Sequence, residues 1–256
     1  MTQNCIKIYG ERNSGTNLLS NILRANFPHV KVYDGNYTKT FERWLKLVTC
    51  VLPDHMRFRS REHIRNFLDV NFLTEQYSWK HKCLPSDLHL THPNLNVVTI
   101  TKDPYSWLYS MYIRPYGSHH FGNTENKLSF SAFLREPWIT QSRENDLALY
   151  SNPVQLWNSK VKSYSEVKNR HLHLRYEDVL VDYDASVFRL GIFLDQILEN
   201  DIVKIKRDVK KSTKNYSDYY DFYINKKFMR YYNEHDLSYV QANLDDTCVT
   251  WSGYSV

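Results

Sequence analysis

Ile8-Tyr9-Gly10-Glu11-Arg12-Asn13-Ser14-Gly15-Thr16-Asn17-Leu18-Leu19 is the stretch on which the reading turns. The apolar run Cys5–Tyr9 predicts a strand that ends in a tight glycine loop. A helix is expected from about Gly15 to Asn26, with Leu18, Leu19, Ile22 and Leu23 on one face at helical spacing. Two glycines let the backbone fold close. The unpaired N–H groups of the loop and of the first helical turn then converge on one point, which makes a cradle for a phosphate or a similar oxyanion.

The spacing from Gly10 to Gly15 matches the nucleotide-binding loop G-x-x-x-x-G-K-[ST], but Thr16 and Asn17 stand where that loop has its lysine and hydroxyl residue. A kinase or ATPase needs the lysine on the β- and γ-phosphates and a well-placed metal. The loop therefore reads as an anion site not built for ATP hydrolysis.

Outward from the loop, strands alternate with helices. Val30–Tyr33 can be a second strand, Phe41–Leu52 is amphipathic, and Arg57–Phe67 is basic helix or loop. Tyr77–His81 reads as strand and Pro85–Leu90 as a short helix. Asn96–Thr101 is the clearest buried strand, because its β-branched residues run almost unbroken. Asp103 is placed as an N-cap and Pro104 as the first residue of a helix carrying Trp107, Leu108 and Met111. Tyr116–Lys127 is loop-like, Pro153–Lys168 helical, His171–Arg175 strand and Tyr183–Leu194 helix. Lys204–Lys214 is cationic, and Asp218–Asn233 is an aromatic, charged helix. The alternation argues an α/β fold with a central parallel sheet flanked by helices. In such sheets ligands bind at the carboxyl ends of the strands. Here three expected strand ends finish in the Gly10–Thr16 loop, in Lys80-His81 and in Lys102, all suited to an anion.

Composition narrows the class. A chain of 256 residues, 42% hydrophobic and 24% charged, suits one globular enzyme domain spanning 1–256. A net charge of +5 favours an anionic ligand but falls short of a nucleic-acid footprint, so no nucleic-acid partner is expected. Cys5, Cys50, Cys83 and Cys248 show no metal spacing and read as reduced, buried thiols. His119-His120 reads as exposed loop. No run approaches a membrane span, and the start of the chain has no signal-peptide pattern, so a cytoplasmic protein is expected.

Tyr9-Gly-Glu-Arg-Asn-Ser-Gly-Thr-Asn17 resembles the 5′-phosphosulfate-binding loop of the sulfotransferases that use 3′-phosphoadenosine-5′-phosphosulfate (PAPS). Val97-Val-Thr-Ile-Thr-Lys-Asp-Pro-Tyr-Ser-Trp-Leu-Tyr-Ser110 resembles their 3′-phosphate motif, with Ser110 eight positions after Lys102. Trp79-Lys80-His81-Lys82-Cys83-Leu84-Pro85 is similar to the segment where many members place a catalytic lysine and histidine. His173-Leu-Arg-Tyr-Glu-Asp-Val-Leu180 is similar to their R-Y-E-D-L landmark, and Phe193-Leu194 fits the pattern after it. The matches follow the family's order over roughly residues 5–200. The chain departs from the pattern at Asn13, where the family has lysine, and at Lys102, where it has arginine. Arg12 is the substitute charge in the first case; in the second, a point charge replaces a guanidinium fork.

The resemblance implies a P-loop-like sulfotransferase fold that transfers a sulfuryl group from PAPS to a hydroxyl or amine of a small molecule or carbohydrate, without a metal. Arg12, Asn13, Ser14, Gly15, Thr16 and Asn17 would bind the 5′-phosphosulfate. Lys102 and Ser110 would hold the 3′-phosphate, with Lys210, Lys211 and Ser212 folding over it. Lys80 and Arg12 would stabilise the leaving group, and His81 would be the base. Glu11, Glu42 and Asp34 are the alternative bases. The rival functions are a P-loop kinase that has moved its lysine and a catalytically silent anion-binding module. The acceptor and the oligomeric state are not readable.

Overall fold

The computed structural model describes residues 5–33, 35, 37–71, 79–114, 128–140, 142–144, 149–196, 198, 201–205 and 216–255. Strand β1 (Cys5–Tyr9) leads into α1 (Thr16–Asn26) and β2 (Lys31–Tyr33), then α2 (Lys39–Val48), α3 (Asp54–Asn71) and the short α4 (Leu88–Thr91). Strand β3 (Asn96–Thr101) feeds α5 (Pro104–Ile113), followed by α6 (Phe130–Arg135), β4 (Trp138–Ile139), β5 (Leu149–Tyr150) and α7 (Pro153–Ser165). The chain continues through β6 (His171–Arg175), α8 (Tyr176–Val181), α9 (Tyr183–Leu194), α10 (Tyr216–Tyr223), α11 (Glu234–Asn243) and α12 (Asp246–Ser252).

The central sheet has the order β2-β1-β3-β6, with every pairing parallel; Ile8 lies opposite Val98, and Thr99 opposite His173. This is the α/β architecture expected from the alternating pattern. Strands sandwiched by helices are buried on both faces; in β1 and β3 one face is apolar, and the other mixes Tyr9 and Val97 with the buried Lys7, Thr99 and Thr101. Ile6, Ile8, Val98 and Ile100 pack on one side against Leu19, Ile22 and Leu23 of α1 and Val187 and Leu190 of α9. Tyr9 and Val97 face the other side, against Leu84, Leu88 and Tyr164. A larger aromatic core joins Trp107, Phe133, Trp138 and Trp157 to Phe228 and Val240.

Three expectations need correction. Trp79–His81 is a turn rather than a strand; the amide of Lys82 donates to the Trp79 carbonyl at 3.0 Å, and Gly10 takes the Lys80 carbonyl as an acceptor at 3.0 Å. The Asp218–Asn233 helix is α10 followed by a separate 3₁₀ turn at Lys227–Tyr231. Cys50 is exposed and Cys5 half-buried, whereas Cys83 and Cys248 are buried; none of the four forms a disulfide among the described residues. Arg57–Phe67, for which the sequence allows helix or loop, lies inside α3. Tyr116–Lys127, with His119 and His120, falls outside the described residues.

The second sheet face carries a hydrogen-bonded ladder beneath α12. Thr99 Oγ1 lies 2.8 Å from His171 Nε2 and 3.0 Å from His173 Nδ1. Thr101 Oγ1 lies 3.2 Å from His173 Nε2, and Trp251 covers both rings. Burial pulls the His171 pKa down to about 4. Burial, and then His171, pull that of His173 down to about 3. In the unfolded chain both protonate near 6.5, so below that value the unfolded state binds more protons and stability falls with pH. These two rings together are expected to take about 2–3 kcal/mol off the stability measured by urea unfolding between pH 7 and pH 5.5. Equal stability at the two pH values would mean that both rings take up protons in the native fold.

Candidate functional site

The loop after β1 is built by exclusion. A Cβ on Gly10 would stand 2.7 Å from the Ile100 carbonyl oxygen, so β1 can lie this close to β3 only with glycine there. Gly15 has a φ of +98°, and a Cβ on it would stand 2.6 Å from the Tyr176 ring. Asn13 is also left-handed, at φ 62°, which asparagine tolerates better than most residues. The Ser14 amide and hydroxyl both donate to the Glu11 carbonyl, at 3.1 and 2.5 Å, closing the turn. Helix α1 starts at Thr16 with no side-chain cap, and its first internal bond runs from Leu19 N to Gly15 O at 3.0 Å. The amides of Thr16, Asn17 and Leu18 precede that bond and are the free positive end of the helix. The Asn13 side chain turns to α5, where its amide donates to Met111 Sδ at 3.2 Å and to the Ser110 and Arg114 carbonyls at 3.5 Å.

Cations gather around the loop. Lys80 is buried, and its Nζ donates to Asn17 Oδ1 at 2.6 Å, on the first turn of α1. The buried Arg12 guanidinium lies 4.4 Å from the centre of the Trp79 ring, with Nε 3.7 Å from Glu144, and the Arg12 carbonyl accepts from Trp107 Nε1 at 2.8 Å. His81 Nδ1 lies 2.6 Å from the Gly10 carbonyl oxygen. A carbonyl only accepts, so Nδ1 carries the proton and Nε2 presents a lone pair in the neutral ring. Burial, then Arg12 and Lys80, hold the His81 pKa well below 6.5, against a smaller upward push from the Gly10 carbonyl. The ring is neutral at physiological pH.

Glu11 is tied down rather than free. Its Oε1 accepts the Arg12 amide at 2.6 Å, and Oε2 lies 3.8 Å from Lys160 Nζ. Lys160 is fully buried and also donates to the His81 carbonyl at 2.9 Å, joining the glycine loop to the His81 turn. Lys160 carries no motif of its own in the sequence. It was detectable as a charge on the apolar face of α7 formed by Leu156, Trp157, Val161 and Tyr164.

A second cation site lies where β3 ends. The buried Lys102 donates from Nζ to Ser110 Oγ at 3.0 Å, closing the eight-residue spacing seen in the sequence. Ser110 in turn donates to the Ser106 carbonyl at 2.8 Å. The Tyr223 ring of α10 lies 3.5 Å from the ammonium, and its hydroxyl lies 3.3 Å from Ser110 Oγ. Asp103 caps α5 by accepting the Ser106 amide at 2.9 Å. The two cation sites share a frame: Asn13 reaches the end of α5, and Trp107 of α5 holds the Arg12 carbonyl.

On the other flank of His81, Trp79 meets the histidine edge-on, with ring centres 4.9 Å apart, and Arg143 lies 4.7 Å from the same indole. Arg143 Nε bonds Asp69 Oδ2 at 2.9 Å, and its Nη1 lies 3.7 Å from Glu62. Tyr37 donates to Asp69 Oδ1 at 2.6 Å. Arg65 links Glu62 to Glu42, gripping the Glu42 carboxylate through both Nε and Nη2. Glu42, an alternative base, is thus held by a guanidinium. Asp34, Lys210, Lys211 and Ser212 lie outside the described residues. No group of three His, Cys, Asp or Glu side chains suited to a metal occurs among the described residues.

No protein-family model matches the sequence, and no curated protein matches it. Among solved structures, the chain is similar to mouse sulfotransferase SULT7A1 complexed with PAP, at 12% sequence identity and a TM-score of 0.41, over 100% of this chain and 90% of that one.

Proposed function

We propose that this protein is a PAPS-dependent sulfotransferase acting on a hydroxyl or amine. The observation that carries the reading is the pair of buried cation sites on one frame. One is a glycine cradle with Lys80 at the start of α1, and the other is Lys102 with Ser110 at the end of β3. A donor with a phosphosulfate at one end and a 3′-phosphate at the other needs two such sites. ATP, which has no 3′-phosphate, leaves the second without a purpose.

The residues divide the work of an in-line displacement through a loose transition state, where positioning and charge stabilisation supply most of the catalysis. The Arg12–Thr16 backbone and the α1 amides orient the phosphosulfate. Lys80 and Arg12 neutralise the phosphate oxygen as its bond to sulfur breaks. His81 Nε2 takes the acceptor proton as the new bond to sulfur forms, and adenosine 3′,5′-bisphosphate leaves. Lys102 and Ser110 hold the 3′-phosphate.

Thermal melting tests this reading. Adenosine 3′,5′-bisphosphate at about a hundred times its dissociation constant is expected to add ~2.7 kcal/mol, and AMP, ADP and ATP–Mg²⁺ at the same concentration much less. Lys102→Ala is expected to weaken the bisphosphate about ten- to a hundredfold and to leave AMP binding unchanged, as removal of one charge-assisted contact should. A shift with ATP–Mg²⁺ alone would sink the sulfotransferase and favour the kinase. Salt-sensitive binding of any polyanion with no preference for the 3′-phosphate would favour the silent module.

A further inference from the structure

The outward face of α2 and of the turn after it is divided lengthwise by chemistry. Trp44, Leu47, Val48 and Val51 are 51%, 69%, 41% and 84% exposed. Trp44, Leu47 and Val48 stand at i, i+3 and i+4 and form one apolar stripe on α2, and Val51 follows in the turn beyond its end. Lys39, Arg43 and Lys46 are exposed at i, i+4 and i+7 and form a second stripe beside the first. Among the described residues, none of these three cations pairs with a carboxylate. The opposite side of the helix is anchored: Leu45 and Thr49 are buried, and Glu42 is gripped by Arg65. Thr38 caps the helix by accepting the Phe41 amide at 3.2 Å, and Arg57 ties down the following turn through the Cys50 and Leu52 carbonyls. The exposed face is therefore displayed by a rigid element.

From this juxtaposition we propose that α2 docks the protein on an anionic lipid surface, lying in the interface plane with Trp44, Leu47, Val48 and Val51 inserted and Lys39, Arg43 and Lys46 on the headgroups. An indole and aliphatic side chains next to a row of basic ones is the chemistry of an interfacial helix. The partner is chosen by charge. A second copy would set the cationic row of one molecule against that of the other under a two-fold contact, and a neutral protein groove would have no use for the row. The helix lies on the membrane without crossing it, as no described helix is long and apolar enough to span one. The docked face belongs to the helix whose Glu42 begins the ion network that ends beside His81, so docking would turn that flank of the cleft toward the lipid headgroups. The inference does not depend on the identity of the nucleotide.

Vesicle sedimentation with the full chain tests it, using phosphatidylcholine alone and phosphatidylcholine with about 30% phosphatidylserine. Binding is expected to the mixed vesicles only, falling as salt is raised. Of the six tryptophans, Trp44 alone is an exposed one, so its emission should shift to the blue and be quenched by brominated lipid in the parent protein. Leu47→Asp with Val51→Asp should weaken binding at least about tenfold. Lys39→Glu, Arg43→Glu and Lys46→Glu together should weaken it about a hundredfold. All five positions are exposed, and melting temperatures equal to the parent's certify the fold. The proposal is overturned if the parent ignores phosphatidylserine vesicles, or if the variants bind as the parent does. It is also overturned if light scattering finds a dimer that Leu47→Asp with Val51→Asp dissolves, which would assign the face to a second copy.

Discussion

Lys80→Ala is expected to lower the rate of sulfuryl transfer about a hundred- to a thousandfold while changing donor affinity far less. Lys80 is buried beside the first turn of α1, and Asn17 Oδ1, 2.6 Å from its ammonium, fixes where the charge sits. In the proposed mechanism the phosphosulfate already meets the backbone amides of the cradle in the ground state. The extra negative charge on the phosphate oxygen appears only as the bond to sulfur breaks, so a preorganised ammonium acts on the transition state. The loss should therefore fall on kcat rather than on KM. A second readout separates this from a merely structural defect. After burial, the cations Arg12, Lys80 and Lys160 hold the His81 pKa down. In the parent, His81 stays neutral through pH 6.5, so the rate should show no acid limb there. Removing Lys80 relieves one of these pushes while burial, Arg12 and Lys160 remain, so any acid limb should move to higher pH than in the parent. An unchanged kcat, or a loss confined to KM, would remove Lys80 from the chemistry.

Parts of this site were legible in the sequence because the physics that builds them is local. Asn96–Thr101 reads as a buried parallel strand from its β-branched run, and it is β3. The glycines at 10 and 15 read as a close loop, and both positions prove unable to hold a Cβ without collision. Lys102 and Ser110 are joined across one strand–turn–helix unit, so an eight-residue spacing is enough to bring them together. The Trp79–His81 turn was misread because its aromatic and long side chains suit a strand. Its conformation is set by Gly10, about seventy residues away in the chain, which takes the Lys80 carbonyl and offers its own to His81.

Most of the ion network was not legible, for a related reason. Glu62, Arg65 and Asp69 sit at i, i+3 and i+7 on a helix rich in charge, and such a pattern ordinarily marks a solvated face. They are turned inward because Arg143 arrives from 74 residues downstream of Asp69, in a three-residue 3₁₀ segment with no periodicity of its own. Helices α11 and α12 also escaped the reading. Their caps, Asn233 and Asp245, are plain in retrospect, yet the helices are 10 and 7 residues long and bury few side chains each.

Asp69→Ala is expected to destabilise the fold by about 3–5 kcal/mol, the cost of stranding a buried cation, and to be the most damaging single change in that network. Asp69 accepts from Arg143 Nε and from the Tyr37 hydroxyl, and both Asp69 and Arg143 are buried. Burial and then Asp69 push the Tyr37 pKa far up, so Tyr37 stays a neutral donor at any working pH. Without the carboxylate, Arg143 is left with the more distant Glu62, at 3.7 Å, and the Tyr37 hydroxyl loses an acceptor. Asp69→Asn keeps an acceptor and should cost less than alanine. The informative variant is Asp69→Ala combined with Arg143→Met. Removing both partners also removes the stranded charge, so the double variant should be more stable than the sum of the single changes predicts. Urea unfolding of the four proteins measures this coupling, and strictly additive losses would mean that the two groups do not depend on each other. Arg143 also lies against the indole that meets His81 edge-on. If the network positions the base, Asp69→Asn should lower kcat at a temperature where the protein is fully folded and leave bisphosphate binding intact, because the Lys102–Ser110 site lies outside the network.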